Sequence, residues 1–402
     1  MLSPTTRDLL DLLVRWTHVI AGIMWVGNSM LFNWLDRNLE KSKDDPERME
    51  GRIWMVHSGG FYDVVKKQLA PNEMPAVLHW FKWQSYTTWL TGFGLLGLVY
   101  YMGGGTYLVD PQVSGLSVHQ ASAVGLGTLV GGFAFYDLLW RSPLRKVPMV
   151  TVAICLAAAV GVIYALTHLL GGRAAYIHVG ALFGTIMAGN VFFHIIPSQR
   201  VLVAATKAGE PQDKEFALRA KGRSIHNNYM TFPLLFTMVS NHFPSTYGNP
   251  KSWLVLVVIC VGGGLVRHFM NVRFTFKRWV AALHVTILAA VGLLAFLLRP
   301  APERVVAVTA DGPVKKTPFV FVHALVTEKC VPCHSSTPAD KTFAAPPNGI
   351  MFDTPAQIQQ YAERIHARAV VMKTMPFGNK TGMTDDQRDL LAKWFSEGAP
   401  GY

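Results

Sequence analysis

The chain has 402 residues, half of them hydrophobic and only 15% charged. That balance excludes one large water-soluble globule and a disordered chain, and it fits a polytopic membrane protein with a soluble appendage. The formal net charge of +12 would suit a nucleic-acid binder, but the basic residues cluster in loops between apolar segments, where they report orientation in a bilayer.

Eight apolar segments are long enough, or nearly so, for a crossing of ~20 residues. They lie near 9–35, 84–104, 118–140, 148–170, 176–197, 228–243, 251–270 and 279–298. The first carries His18 and no signal-peptide cleavage pattern, so it reads as a retained helix. The sixth is the weakest. It contains Pro233 and ends in Ser240-Asn241-His242, which predicts a kinked or partly unwound span and leaves seven spans as the alternative count. Alternate loops carry twenty Lys and Arg between them, while the others hold only Arg173 and Lys251. With eight spans, this positive-inside asymmetry puts both termini outside the cytoplasm.

The first basic loop, about 36–83, is long. It opens on a charged stretch, Lys41 to Arg48, and then runs Trp54-Met55-Val56-His57-Ser58-Gly59-Gly60-Phe61-Tyr62 and His79-Trp80-Phe81-Lys82-Trp83. An interfacial aromatic belt accounts for Trp80 and Trp83. It does not account for His57-Ser58-Gly59-Gly60, so this loop is expected to line a site. A weak repeat relates Trp16-Thr17-His18-Val19 and Gly27-Asn28 to Tyr176-Ile177-His178-Val179 and Gly189-Asn190, as in a parallel four-plus-four duplication.

Ionisable residues within spans are functional suspects by default. His18, His119, His168, His178 and His242 fall toward the outer side. His194, His268 and His284 fall toward the inner side, with His57, His79 and His226 at that surface. A facing pair from two helices could hold a b-type haem or another metal centre; His18 with His178, and His194 with His284, are the candidates. The ordinary alternative for each is a hydrogen bond across helices. Arg15 and Arg267 also lie at membrane depth, and Arg267-His268 could bind an anion or a haem propionate, or snorkel. Cys155 and Cys260 stand alone in apolar runs and read as small buried hydrophobes.

Beyond Leu298 a linker, 299–318, leads to a soluble domain, 319–402, that is short for an unaided core. It contains Cys330-Val331-Pro332-Cys333-His334. C-x-x-C-H is the attachment pattern of a covalent c-type haem: two thiols one turn apart add to the vinyl groups, and the histidine ligates the iron. The alternative, a zinc half-site, lacks a second pair at zinc spacing. Haem of this type is attached outside the cytoplasm, in agreement with the loop charges. Met375, followed by Pro376 and Phe377-Gly378-Asn379, is the expected second axial ligand, with Met351, Met372 and Met383 as alternatives. A last helix capped by Thr384 should pack on the helix near 320–334. The expected fold is all-α: an eight-helix transmembrane bundle over 1–298, then a class I-like cytochrome c domain.

The stretches Trp54 to Tyr62, His79 to Trp83, and Asn227-Asn228-Tyr229-Met230-Thr231 through Ser240-Asn241-His242, joined to the CVPCH domain, resemble the bacterial membrane-integral urate hydroxylases (urate oxidases) with a fused C-terminal cytochrome c domain. The resemblance spans essentially the whole chain. It implies oxidation of urate to 5-hydroxyisourate, with electrons passed to the chain's own haem and on to a downstream cytochrome c or terminal oxidase, without hydrogen peroxide. It also implies a multi-pass protein of the bacterial inner membrane, with both termini periplasmic. Because purine catabolites are cytoplasmic, urate is expected near His57, Ser58, Tyr62, His79, Asn227 and Asn228. Two other functions fit the residues alone: a quinol-linked redox module, and a haem-fused transporter or sensor.

Overall fold

The computed structural model describes residues 3–102, 105–111, 113–299, 317–343 and 345–402. Most of the linker expected at 299–318 lies outside the described residues. The chain is mostly helical. Helix α1, Pro4–Asn38, starts on a Ser3 cap whose hydroxyl accepts from the Thr6 N–H, with proline in its first turn. Strands β1, Met49–His57, and β2, Gly60–Lys67, follow. Next come α2, Trp83–Leu96, α3, Val118–Arg141, α4, Pro148–Leu169, and α5, Gly172–Gly189. A six-residue π turn, Asn190–Ile195, carries α5 straight into α6, Ile196–Ala208. The bundle ends with α7, Lys214–Val239, the single turn α8, Pro244–Tyr247, α9, Ser252–Asn271, and α10, Trp279–Leu297.

Among the described residues, six helices are long and apolar enough to cross a membrane: Thr5–Asn38, Val118–Arg141, Pro148–Leu169, Gly172–Ala208, Ser252–Asn271 and Trp279–Leu297. The segments expected as spans two and six are helical but differ from these. Helix α2 is short and is prolonged by a π turn, Gly97–Tyr101. Helix α7 carries Lys214, Glu215, Arg219, Lys221 and Arg223 in its first half and runs on through Pro233.

The long loop corrects the all-α expectation, because it folds into an antiparallel hairpin that pairs His57 with Gly60. Ser58 and Gly59 form its two-residue turn with φ of 50° and 77°, the left-handed pair that matches strand twist. His57-Ser58-Gly59-Gly60 is thus explained by turn geometry.

The bundle is built around α5. Ala174, Ala175, Tyr176, His178 and Val179 are fully buried there, within a core that includes Leu96, Tyr100, Leu108, Leu129, Tyr136, Leu166 and Leu256. Helix α1 packs chiefly on α2 and α10 on α9, and both show apolar side chains such as Trp16, Ile23, Val285 and Leu288 on the outside, as lipid contact requires.

The C-terminal domain has its own core. Helix α11, Phe319–Lys329, places Phe319, Val322 and Val326 against Ile358 of α12, Pro355–Gln360, and Ile365 of α13, Ala362–Ile365. Leu391 and Trp394 of α14, Asp385–Ser396, close the same core. Thr384 caps α14 in a reciprocal box with Gln387, and α14 packs on α11 as the sequence predicts. The domain rests on the loop after α2. Lys380 Nζ donates to Thr106 Oγ1 at 3.1 Å, and the rings of Tyr107 and Phe377 meet edge to face at 4.6 Å. Gly378, at φ 55°, comes so close to this loop that a Cβ would lie 2.8 Å from the Val109 carbonyl oxygen. Only glycine satisfies both demands.

Candidate functional site

Helix α11 ends at Cys330, and one further turn brings the Cys333 and His334 N–H groups onto the Cys330 carbonyl at 3.1 and 2.9 Å. Both thiols and the imidazole then line one cavity of about 700 Å3, together with Met375. Ile350, Phe352, Tyr361 and Ile365 supply apolar wall from the C-terminal domain. Tyr107, Arg173, Asn241 and His242 come from the bundle, so the cavity is closed by both parts of the chain. His334 Nδ1 lies 3.0 Å from the Ile350 carbonyl oxygen. An Nδ1–H donated there leaves Nε2 as a ligand atom, the usual outer-shell arrangement of a metal-binding histidine.

Met375 is held by its backbone. Its N–H donates to Arg368 O at 3.0 Å, and its carbonyl accepts from Arg388 Nη1 at 2.8 Å. Arg388, fully buried in α14, also donates to Ala369 O and to Asn379 Oδ1. Of the four candidate methionines, Met375 lines this cavity, Met372 lines a smaller one beside it, and Met383 is buried in the domain core.

Burial pushes the Cys330 thiol up to about 12 and Cys333 to about 11. It pulls His334 below the ordinary histidine value and keeps the imidazole neutral. Burial would raise Asp340, but Lys380 Nζ at 2.6 Å and the Thr342 hydroxyl and N–H outweigh it and hold the carboxyl at about 2. Arg173, Lys329, Arg364, Arg368 and Lys380 line the cavity, and among the described residues no carboxylate does. Two cysteines, a neutral imidazole, a thioether, an apolar wall and a cationic rim could hold a c-type haem with its two acidic side groups.

Four histidines of the bundle make hydrogen bonds in the structure. His18 Nδ1 meets the Thr88 carbonyl at 2.9 Å and Thr91 Oγ1 at 3.1 Å. His178 uses both nitrogens, Nδ1 with Ala174 O and Nε2 with Tyr101 OH, each at 2.8 Å. It fits against Gly125, where a Cβ would come 2.6 Å from Nε2. His194 Nε2 lies 2.5 Å from Asp137 Oδ1. His284 is exposed on α10 and bonds to Val280 O of its own helix. His178 thus has both ring nitrogens engaged, whereas the bonds of His18 and His284 use Nδ1 alone. Among the described residues no group of three or more His, Cys, Asp or Glu is arranged around a metal site.

The six residues expected around urate are not brought together. His57, Ser58 and Tyr62 are exposed on the hairpin, and His79 is exposed in the following loop. Asn227 and Asn228 are buried on α7 and enter separate networks. Asn227 Oδ1 accepts from Asn190 Nδ2 at 2.8 Å, and Asn190 Nδ2 also reaches Tyr136 OH at 3.0 Å. Asn228 Oδ1 accepts from Arg267 Nε at 2.8 Å and Asn271 Nδ2 at 2.7 Å. Beside the first network, Arg223 Nη2 donates to Asp137 Oδ1 at 2.9 Å, which with His194 makes a buried charged cluster. The π turn places Asn190 and His194 on it, a frequent use of such turns. The sequence reading missed Asp137, although a lone carboxylate at the end of an apolar segment is a signal in its own right. It counted Arg223 only as a loop charge, and nothing local marked Arg388.

No curated protein and no solved structure matches the chain. Residues 4–298 match the family model described as urate oxidase N-terminal. That segment closes at the end of α10 and contains the whole helical bundle with its buried α7 network and the bundle's share of the cavity wall. Since well over half of its length is matched, the chain belongs to the urate oxidase N-terminal family and is a urate-related oxidoreductase.

Proposed function

We propose that the chain oxidises urate to 5-hydroxyisourate and passes the electrons through a covalent haem in the C-terminal domain to a downstream cytochrome c or terminal oxidase. The urate monoanion and one water give 5-hydroxyisourate, one proton and two electrons. The added oxygen comes from water, so hydrogen peroxide does not form. The observation that carries this reading is the single cavity lined by Cys330, Cys333, His334 and Met375 and roofed by Tyr107 and Arg173 of the urate oxidase-like bundle. Cys330 and Cys333 would bear the thioether bonds, and His334 and Met375 the iron. When bound, the haem supplies one-electron acceptance. The chain's own part is to hold the His334 ring through Ile350, to fix the Met375 loop through Arg388, and to exclude water with Ile350, Phe352 and Tyr361.

The reading includes eight bilayer crossings with both termini and the C-terminal domain on the periplasmic side of a bacterial inner membrane. The loop charges support it. So does the joining of the connections after α2, α4 and α7 at one end of the bundle, where Gly171 N donates to Leu108 O at 3.0 Å and Arg173 Nε to Asn241 Oδ1 at 2.8 Å. The C-terminal domain packs at that end.

An anaerobic absorption spectrum of the purified protein, before and after urate, tests the function. Reduction of a c-type band is expected. A band reduced by a quinol and not by urate would replace this reading with the quinol-linked one. A protein without any haem absorption would leave Cys330 and Cys333 as an ordinary cysteine pair.

A further inference from the structure

A second cavity, of about 340 Å3, lies beside the first. The ends of α4 and α8, the start of α5 and the 372–378 loop of the C-terminal domain enclose it. The two cavities share Tyr107, Arg173, Tyr247, Thr374 and Phe377. We infer that this interdomain cleft is the urate site and that substrate enters it from the periplasmic side. The inference rests on the function proposed above and replaces the cytoplasmic position expected from the sequence.

Three observations carry it. The first is charge. The Arg173 guanidinium stands 4.6 Å from the Tyr107 ring centroid, with Nε on Asn241 Oδ1, and among the described residues it makes no ion pair. A half-buried cation without a carboxylate partner favours an anion beside it. The second is shape and polarity. Tyr107, Tyr247 and Phe377 offer aromatic surface to a flat purine, and Thr167, His168 and Asp110 line the same cleft. His168 Nδ1 is taken by the Tyr164 carbonyl at 2.7 Å, which leaves its other nitrogen as an acceptor for the proton the reaction releases.

The third is electron transfer. Tunnelling through protein weakens steeply with distance. A urate bound at the hairpin, at the other end of the bundle from the connections after α2, α4 and α7, would need a relay across it. A purine in the cleft is separated from the haem cavity only by the shared side chains.

Sided membrane vesicles test this. In right-side-out vesicles, added urate should reduce the c-type band. In inverted vesicles it should do so only after detergent opens them. Reduction in sealed inverted vesicles and not in right-side-out ones overturns the inference. If urate reduces nothing even in the solubilised protein, the proposed function fails instead. One variant locates the site in solubilised protein: Val113→Trp, whose side chain lines only the smaller cavity. It should raise the half-saturating urate concentration at least tenfold, with the haem spectrum and reduction by dithionite unchanged. An unchanged urate dependence in it overturns the placement.

Discussion

The Arg173 guanidinium lies over the ring of Tyr107, centroid distance 4.6 Å, and both side chains line the cavity that contains Cys330 and Cys333. A residue that begins α5 and one from the loop after α2 therefore complete a pocket whose other half lies more than 150 residues further along the chain. The N-terminal bundle and the C-terminal domain thus share one cavity, and the predictions below separate their contributions.

Replacing Cys330 and Cys333 together with alanine should abolish covalent haem. The denatured chain should lose haem-dependent peroxidase staining, and urate oxidation in membranes should drop to background. Full-rate urate oxidation without covalent haem would mean that electrons leave by another route.

Met375→Ala should remove the long-wavelength sulfur–iron absorption of the oxidised protein, while Met372→Ala should leave it in place. The spectra of the two variants test the assignment directly, since only Met375 lines the larger cavity. The reverse pattern would make Met372 the ligand.

Arg388→Met should loosen the Met375 loop. It removes donors to Ala369 O, Met375 O and Asn379 Oδ1 and leaves buried carbonyls unpaired, a loss of about 2–4 kcal/mol. The thermal transition of the C-terminal domain, followed by haem absorbance, should fall by ~10 °C or more, and the sulfur–iron band should weaken at temperatures where the native protein keeps it.

Asp137→Asn should cost about 3–5 kcal/mol, because it leaves the buried Arg223 without its carboxylate. The double variant Asp137→Asn, Arg223→Met should recover part of that loss, since the two residues touch and their effects are not additive. Monodispersity after detergent extraction and heating gives the readout. A double variant worse than either single one would contradict the pairing.

The contact between Lys380 and Asp340 predicts an acid-sensitive domain seam. Asp340 titrates at about 2 in the folded chain against 3.8 without its partners. A depressed carboxylate stabilises fully above the higher value, and its contribution is lost as pH falls through the lower one. Docking of the Lys380 side chain on Thr106 should therefore weaken between about pH 4 and pH 2. Amide hydrogen exchange in the segments 105–110 and 376–381, corrected for its intrinsic pH dependence, should quicken over that window. Asp340→Asn should show the faster exchange at every pH.

Hydropathy and cap chemistry made the helices legible. The Thr384 cap and the apolar runs of α3, α4, α9 and α10 lie where sequence places them, because helix formation depends on local spacing and on backbone groups near the ends. The hairpin was written in the sequence as well, in the Ser58-Gly59 turn, but glycine beside polar and aromatic residues also suits a binding loop, and that reading prevailed. For the histidines local pattern names no partner. The similar surroundings of His18 and His178 in the repeat carried no information about Thr88 or Tyr101, which come from other helices.

The sequence by itself determined the mostly helical bundle, the basic faces of its loops and the CVPCH motif, since each is a property of neighbouring residues. Only the tertiary structure decided that Met375 and not Met372 lines the cavity with Cys330, that Asp137 partners His194 and Arg223, and that Arg173 and Tyr107 join the C-terminal pocket. Those contacts depend on helix packing and domain docking between residues far apart in the chain, where shape and charge balance select partners that no local spacing records.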